Sequence, residues 1–100
     1  MPRKASGAHA TAVGTKATAA GAHATALGDS AKAQGARSVA VGDSSLAQGA
    51  DSSAFGQGSV AGSSFATAIG TSAIATGNSA TAVGYASIAL GKDSVALGTA

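Results

Sequence analysis

The sequence has no cysteine and no tryptophan, and its only aromatic residues besides histidine are Phe55, Phe65 and Tyr85. Disulfides are therefore excluded, and there are too few large side chains to fill the core of an ordinary domain of 100 residues. Small chains with thin cores usually depend on disulfides, metals or association. The composition favours association.

Charge is also scarce, because six Lys and Arg residues and four acidic residues give a net charge of only +2. No cluster of basic residues is interleaved with aromatics, which argues against nucleic-acid binding. No apolar run reaches the eighteen residues that a membrane span needs, and the N-terminus lacks the apolar stretch of a secretory signal. We expect residues 1–6 to be a leader or an artificial extension, and residues 7–100 to hold the fold.

Glycine is abundant and recurs at every seventh position from Gly7 to Gly98, with Ser63 as the one exception. Alanine always lies two residues before this position, and from Gly14 onward alanine or serine lies four before it. Residues two apart share a face on a strand but not on a helix. A helix would also lose about 1 kcal/mol at each glycine. The pattern predicts a repeated unit of one short strand and one glycine-headed turn.

The residue just before the glycine is large and apolar in alternate units and mixed in the others, so the full period is fourteen residues. We call the first set A strands and the second set B strands. The sequence predicts an all-β fold, a flattened parallel β-roll of about seven coils with two short strands in each. Stacking at about 4.8 Å per coil would make the roll roughly 30–35 Å tall.

Large apolar side chains of the A strands are predicted to point outward, which predicts an interface. We expect a homo-oligomer, although symmetry alone does not choose between two and three subunits. The predicted interface residues are Val13, Leu27, Val39, Val41, Phe55, Ile69, Val83, Val95 and Leu97.

The B strands carry a second outward apolar column. It is either a ligand face or a surface that packs on a neighbouring subunit or is simply tolerated in water. Its residues are Leu46, Val60, Ile74 and Ile88, with Leu90 beside them.

The turns are predicted to need glycine for a positive φ or for close backbone approach. The glycines that follow the A strands are Gly14, Gly28, Gly42, Gly56, Gly70, Gly84 and Gly98. Ser63 is expected to be mildly strained if its slot is left-handed.

No catalytic residue, metal site or cofactor is expected. His9 and His23 occupy equivalent turn positions one coil apart, and we interpret them as solvated residues because no further ligand completes a metal site. Asp29 and Asp43 form a similar pair, but a flat roll offers no cleft that would adapt two carboxylates to acid–base chemistry.

Residues 37–45 and 93–98 resemble the repeat of YadA-type heads of trimeric autotransporter adhesins, which reads Asn-Ser-Val-Ala-Ile-Gly-x-x-Ser. The resemblance covers residues 7–100 in thirteen consecutive units. It implies a left-handed roll, a homotrimer, and an extracellular head on the outer membrane of a Gram-negative bacterium, held by a C-terminal anchor outside this sequence. Its asparagine slot is filled here by His9, His23, Arg37, Asp51, Phe65, Ser79 and Asp93.

The resemblance therefore implies cell adhesion linked to virulence, through a host matrix protein or cell-surface receptor. One alternative is a passive spacer in a surface fibre. Another is an ice-binding β-solenoid, which the threonines at Thr11, Thr25, Thr67 and Thr81 of the A strands would favour.

Overall fold

The computed structural model describes residues 4–99, and this range contains fourteen β-strands and no helix. The B sheet is formed by the odd-numbered strands, β1 (Lys4–Ala5), β3 (Thr18–Ala19), β5 (Lys32–Ala33), β7 (Leu46–Ala47), β9 (Val60–Ala61), β11 (Ile74–Ala75) and β13 (Ile88–Ala89). The A sheet is formed by the even-numbered strands, β2 (Thr11–Val13), β4 (Thr25–Leu27), β6 (Val39–Val41), β8 (Ser53–Phe55), β10 (Thr67–Ile69), β12 (Thr81–Val83) and β14 (Val95–Leu97).

Both sheets are parallel, and each strand from β1 to β12 pairs with the strand that lies two further along the chain. The register joins each residue to the one fourteen positions later, as in Thr67 and Thr81. The predicted parallel solenoid of about seven 14-residue coils is therefore confirmed. It measures 34 × 20 × 13 Å, which agrees with the expected height. Because β1 already pairs with β3, the stack includes Lys4, ahead of the expected start at residue 7.

Small side chains fill the space between the two sheets. The buried side chains are alanines and serines at the two positions that the spacing predicts to point inward, and the largest of those that are fully buried are serines. A buried methyl group contributes about 0.8 kcal/mol, whereas a buried valine or leucine contributes about 1.5–3 kcal/mol. The interior therefore permits a very thin roll but adds little hydrophobic stabilisation per residue.

Each coil reverses direction in two tight turns of four residues. In the turn headed by Gly14, the N–H of Ala17 donates to the carbonyl of Gly14 at 3.2 Å, and Lys16 between them has a φ of 63°. The residue two places after the turn head has positive φ in every turn from His9 to Asp93. This geometry favours glycine or asparagine. Glycine fills the slot only at Gly58.

The turn heads themselves fall into two classes that differ in backbone φ, a difference that the seven-residue spacing of glycine does not reveal. Those that follow the A strands, such as Gly42, have φ between +95° and +128°. Those that follow the B strands, such as Gly35, do not have positive φ. A Cβ on Gly35 would lie 2.1 Å from the carbonyl oxygen of Gly49 in the next coil. Both classes therefore serve close approach between coils, since a Cβ on Gly42 would also lie 2.7 Å from the backbone of Gly56, and the glycines after the A strands serve the backbone conformation as well.

Ser63 occupies a slot of the second class. It does not have positive φ, so the left-handed strain considered for it is not found. Its Oγ donates a hydrogen bond to the carbonyl of Thr76 in the following coil. The serine is thus accommodated by pairing its hydroxyl with the backbone of the following coil.

The inward-facing serines also differ in their hydrogen bonding. The Oγ of Ser45 donates to the carbonyl of Gly42 at 2.9 Å, and Ser59 and Ser87 make the equivalent bond. Ser38 and Ser52 are fully buried, and their hydroxyls have no partner among residues 4–99. The two sides of the interior are therefore not chemically equivalent.

Candidate functional site

A continuous apolar strip runs along the outer face of the A sheet. The register stacks Val13 on Leu27, Leu27 on Val41, and so on to Leu97 at the far end. We call these residues the A-sheet strip, which comprises Val13, Leu27, Val39, Val41, Phe55, Ile69, Val83, Val95 and Leu97.

The A-sheet strip is accessible in the single chain. Val13 is 50% exposed and Leu97 is 74% exposed, while Val39, Val41 and Val83 are intermediate. A contiguous apolar surface of this kind marks an interaction site in a water-soluble fold. Its side chains are larger than any in the interior, so covering them would add more stabilisation per residue than the alanines provide.

The outer column of the B sheet changes character along the roll. Lys4, Thr18 and Lys32 occupy it in the first coils, and Leu46 follows Lys32 in register. From there the column is aliphatic. We call its apolar part the B-sheet ladder, which comprises Leu46, Val60, Ile74, Ile88 and the adjacent Leu90.

The B-sheet ladder is most exposed at its C-terminal end. Leu46, Val60 and Ile74 are half-buried, Ile88 is 50% exposed and Leu90 is 66% exposed. The ladder is flat because its members repeat once per coil at the same strand position. It offers a narrow apolar surface with a basic region at one end, on the sheet opposite the A-sheet strip.

A third column runs along the turns that lead into the A strands. It consists of the left-handed residues His9, His23, Arg37, Asp51, Phe65, Ser79 and Asp93, and we call it the turn column. The rings of His9 and His23 are stacked, with centroids 4.9 Å apart and planes inclined by 10°. Arg37 donates from Nε to Oδ1 of Asp51 at 2.8 Å and from Nη2 to Oδ2 at 3.1 Å.

The Arg37–Asp51 pair shifts the ionisation of both groups. Hydrogen bonding to Arg37, together with its positive charge, lowers the pKa of Asp51 below its usual range, although partial desolvation opposes the shift. The same hydrogen bond and the carboxylate charge raise the pKa of Arg37. Both shifts favour the charged forms.

The two aspartates that the sequence places one coil apart are exposed to solvent. Asp29 and Asp43 are exposed, and each accepts a hydrogen bond from the serine that follows it, Ser30 or Ser44. Within residues 4–99 no three or more histidine or acidic side chains gather as a metal-binding group. The described residues also contain no helix long and apolar enough to span a membrane.

The sequence was also compared with models of known protein families. The model of the YadA head domain repeat matches residues 5–31, 19–45, 47–73, 63–87 and 75–100. The chain belongs to the YadA head repeat family. The resemblance read from the sequence is thereby confirmed. No curated protein matched the chain.

The structure explains the asparagine of the YadA head repeat motif. That slot coincides with the turn column, where φ lies between 58° and 63°. Asparagine, aspartate and histidine tolerate this region better than other residues with a side chain. His9, His23, Asp51 and Asp93 therefore suit their slot. Sequence reasoning missed this role because it assigned the unusual backbone to the glycines alone.

Proposed function

We propose that this chain is a head segment of a trimeric autotransporter adhesin, which attaches a Gram-negative bacterium to host matrix proteins or cell-surface receptors. Family membership supports the adhesin class. The single observation that carries the proposal is the A-sheet strip, an apolar surface along the whole roll that one chain leaves uncovered. In the proposed assembly, three left-handed rolls turn these strips toward a common axis.

The proposed trimer assigns the opposite sheet to the ligand. The roll is only 13 Å across its thinnest dimension, so a strip at the axis leaves the B sheet facing outward. The B-sheet ladder then forms three equivalent apolar stripes on the trimer surface. Three weak contact sites on one rigid body raise the overall avidity above the affinity of each site.

Sedimentation equilibrium of the purified chain tests the assembly. The wild type is expected near 27 kDa, which is three times the 9.1 kDa chain. Ile69→Lys places a charge in the A-sheet strip and is expected to yield monomer or unfolded protein. Ile74→Lys places the same charge on the B sheet, five residues later, and is expected to remain trimeric. A folded monomeric wild type would refute the trimer.

Binding to immobilised matrix proteins and to host cells tests adhesion. The double substitution Val60→Ser and Ile74→Ser is expected to reduce binding at least severalfold while the trimer persists. The control Thr11→Ser changes the other sheet and is expected to leave binding unchanged. Absence of binding by the wild-type trimer across the panel would favour the passive spacer instead.

Ice binding is tested separately. Thr11 stacks on Thr25 and Thr67 stacks on Thr81, but Val39 and Ser53 separate the two pairs. The interruption favours packing over an ordered water lattice, so we expect no thermal hysteresis. A clear hysteresis would overturn the proposed packing of this sheet at the trimer axis, and with it the adhesin proposal.

A further inference from the structure

His9 and His23 form the one stacked pair of imidazoles that the described residues contain, and their backbone positions are fixed. Both occupy left-handed turn slots, with φ of 60° and 61°. The N–H of His23 donates to the carbonyl of Ala8 at 2.7 Å, which ties the two turns together. The rings stack with centroids 4.9 Å apart. Two imidazoles are therefore held side by side without any flexible segment between them.

The spacing of the two rings is close to what one shared metal ion requires. A metal–nitrogen bond is about 2.0–2.1 Å long, so two nitrogens on a tetrahedral ion lie about 3.3 Å apart. Parallel rings 4.9 Å apart must tilt toward each other to reach that separation. Both histidines are exposed, so no packing opposes the tilt.

The surrounding charges do not compete for the pair. Arg37 is next in the turn column, but its guanidinium is engaged with Asp51 on the side away from His23. No carboxylate joins the histidines, since the described residues hold no group of three or more metal-ligating side chains. The pair thus supplies two imidazole nitrogen ligands and leaves the remaining coordination positions to water.

We propose that His9 and His23 form a two-imidazole site for a late first-row divalent metal. Imidazole suits Cu²⁺, Ni²⁺ and Zn²⁺, and affinity is expected to be highest for Cu²⁺ by the usual order of these ions. The site repeats once per chain, so an oligomer carries several at equal height along the roll. It is independent of the B-sheet ladder and of the adhesive role.

Isothermal titration of the full chain with ZnSO₄ and with NiCl₂ tests the site. One ion per chain is expected. His9→Asn and His23→Asn should each weaken binding on the order of tenfold or more, because a chelated ion gains from the high effective concentration of the second ring. Asparagine suits the left-handed slot, so the turns are retained. The double variant should bind no ion at this site.

A rescue variant tests whether two histidines one coil apart are sufficient for metal binding elsewhere in the turn column. In the double variant, Ser79→His and Asp93→His rebuild the pair in the same turn column, one coil apart. This variant is expected to regain one ion per chain. Equal affinity of the wild type and both single variants, or no rescue, would overturn the proposal, since either result means that the rings do not act together.

Discussion

The guanidinium of Arg37 holds the carboxylate of Asp51 in the next coil through two hydrogen bonds, at 2.8 Å and 3.1 Å. The two residues are fourteen positions apart and occupy the same left-handed slot in the equivalent turns of successive coils. The bond therefore runs along the roll and clips two neighbouring coils at their edge. It is the one ion pair among residues 4–99.

Asp51→Asn is expected to lower the thermal midpoint slightly at pH 7 and low salt. The pKa of Asp51 is lowered in the folded chain, so the pair stabilises the fold above the ordinary carboxyl pKa and is lost as the pH falls through the folded value. The deficit should vanish in acid and shrink at high ionic strength, because the pair is accessible to solvent. Circular dichroism melts measure it.

Asp93→Asn is the control, because Asp93 occupies the same slot without an ion pair in the described chain. The difference in thermal midpoint between Asp93→Asn and the wild type should be the same at pH 7 and in acid. If both variants lowered the thermal midpoint equally and with the same pH dependence, the Arg37–Asp51 ion pair would not be the cause.

Phe65→Asn is expected to stabilise the fold by about 1 kcal/mol, since a left-handed backbone costs a residue with a bulky side chain roughly 1–2 kcal/mol. Phe65 has a φ of 63° and is 59% exposed, so little packing is lost. Denaturant titration gives the change in the free energy of unfolding. Phe65→Leu removes the ring but keeps the strain and should bring no gain; a gain there would point to the ring instead.

Gly35→Ala is expected to destabilise the fold by about 1–3 kcal/mol, because overpacking against the backbone of the next coil is costly. Complete loss of folding is not expected, since Ser63 carries a side chain at a turn head of the same class. The added methyl group would meet the backbone of Gly49 at 2.1 Å.

Gly91→Ala is the matched control for that substitution. Gly91 heads the same class of turn, but a Cβ there meets only the side chain of Ser94 at 3.8 Å. Its thermal midpoint should change little. Similar losses at both positions would contradict the role assigned to coil-to-coil crowding.

Ser52→Ala is expected to stabilise the fold by about 1 kcal/mol, because its buried hydroxyl has no partner within the described chain and burial of an unpaired hydroxyl is unfavourable. Ser59→Ala should instead be destabilising by a similar amount, because the Oγ of Ser59 donates to Gly56 at 2.9 Å. The pair is compared by denaturant titration. A loss in Ser52→Ala would indicate a bridging water at that site.

Much of this fold could be predicted from spacing alone. Alanine two residues before each turn head can only point inward in a parallel stack, and residues such as Ala26 and Ala54 do so. The outward strip from Val13 to Leu97 follows from the same alternation. Periodicity was sufficient here because each coil repeats the environment of the one before.

The turns could not be predicted in the same way. Residues as different as His9, Phe65 and Asp93 fill the left-handed slot, so composition gives no common signal there. The crowding at Gly35 arises from the neighbouring coil and is not a property of the local sequence. Arg37 and Asp51 do carry a sequence signal, since they have opposite charges one period apart, which predicts a contact along the stack.

The fourteen-residue register also limits how such a chain can change in length. Loss or gain of fourteen residues would shorten or extend the roll by about 4.8 Å and leave every later side chain on its original sheet. Loss or gain of seven would exchange the two sheets beyond that point, so Ile69 and Leu97 would move to the opposite side from Val13. The length of the roll can therefore change in steps of one whole coil. A change of half a coil would divide the A-sheet strip between the two sheets.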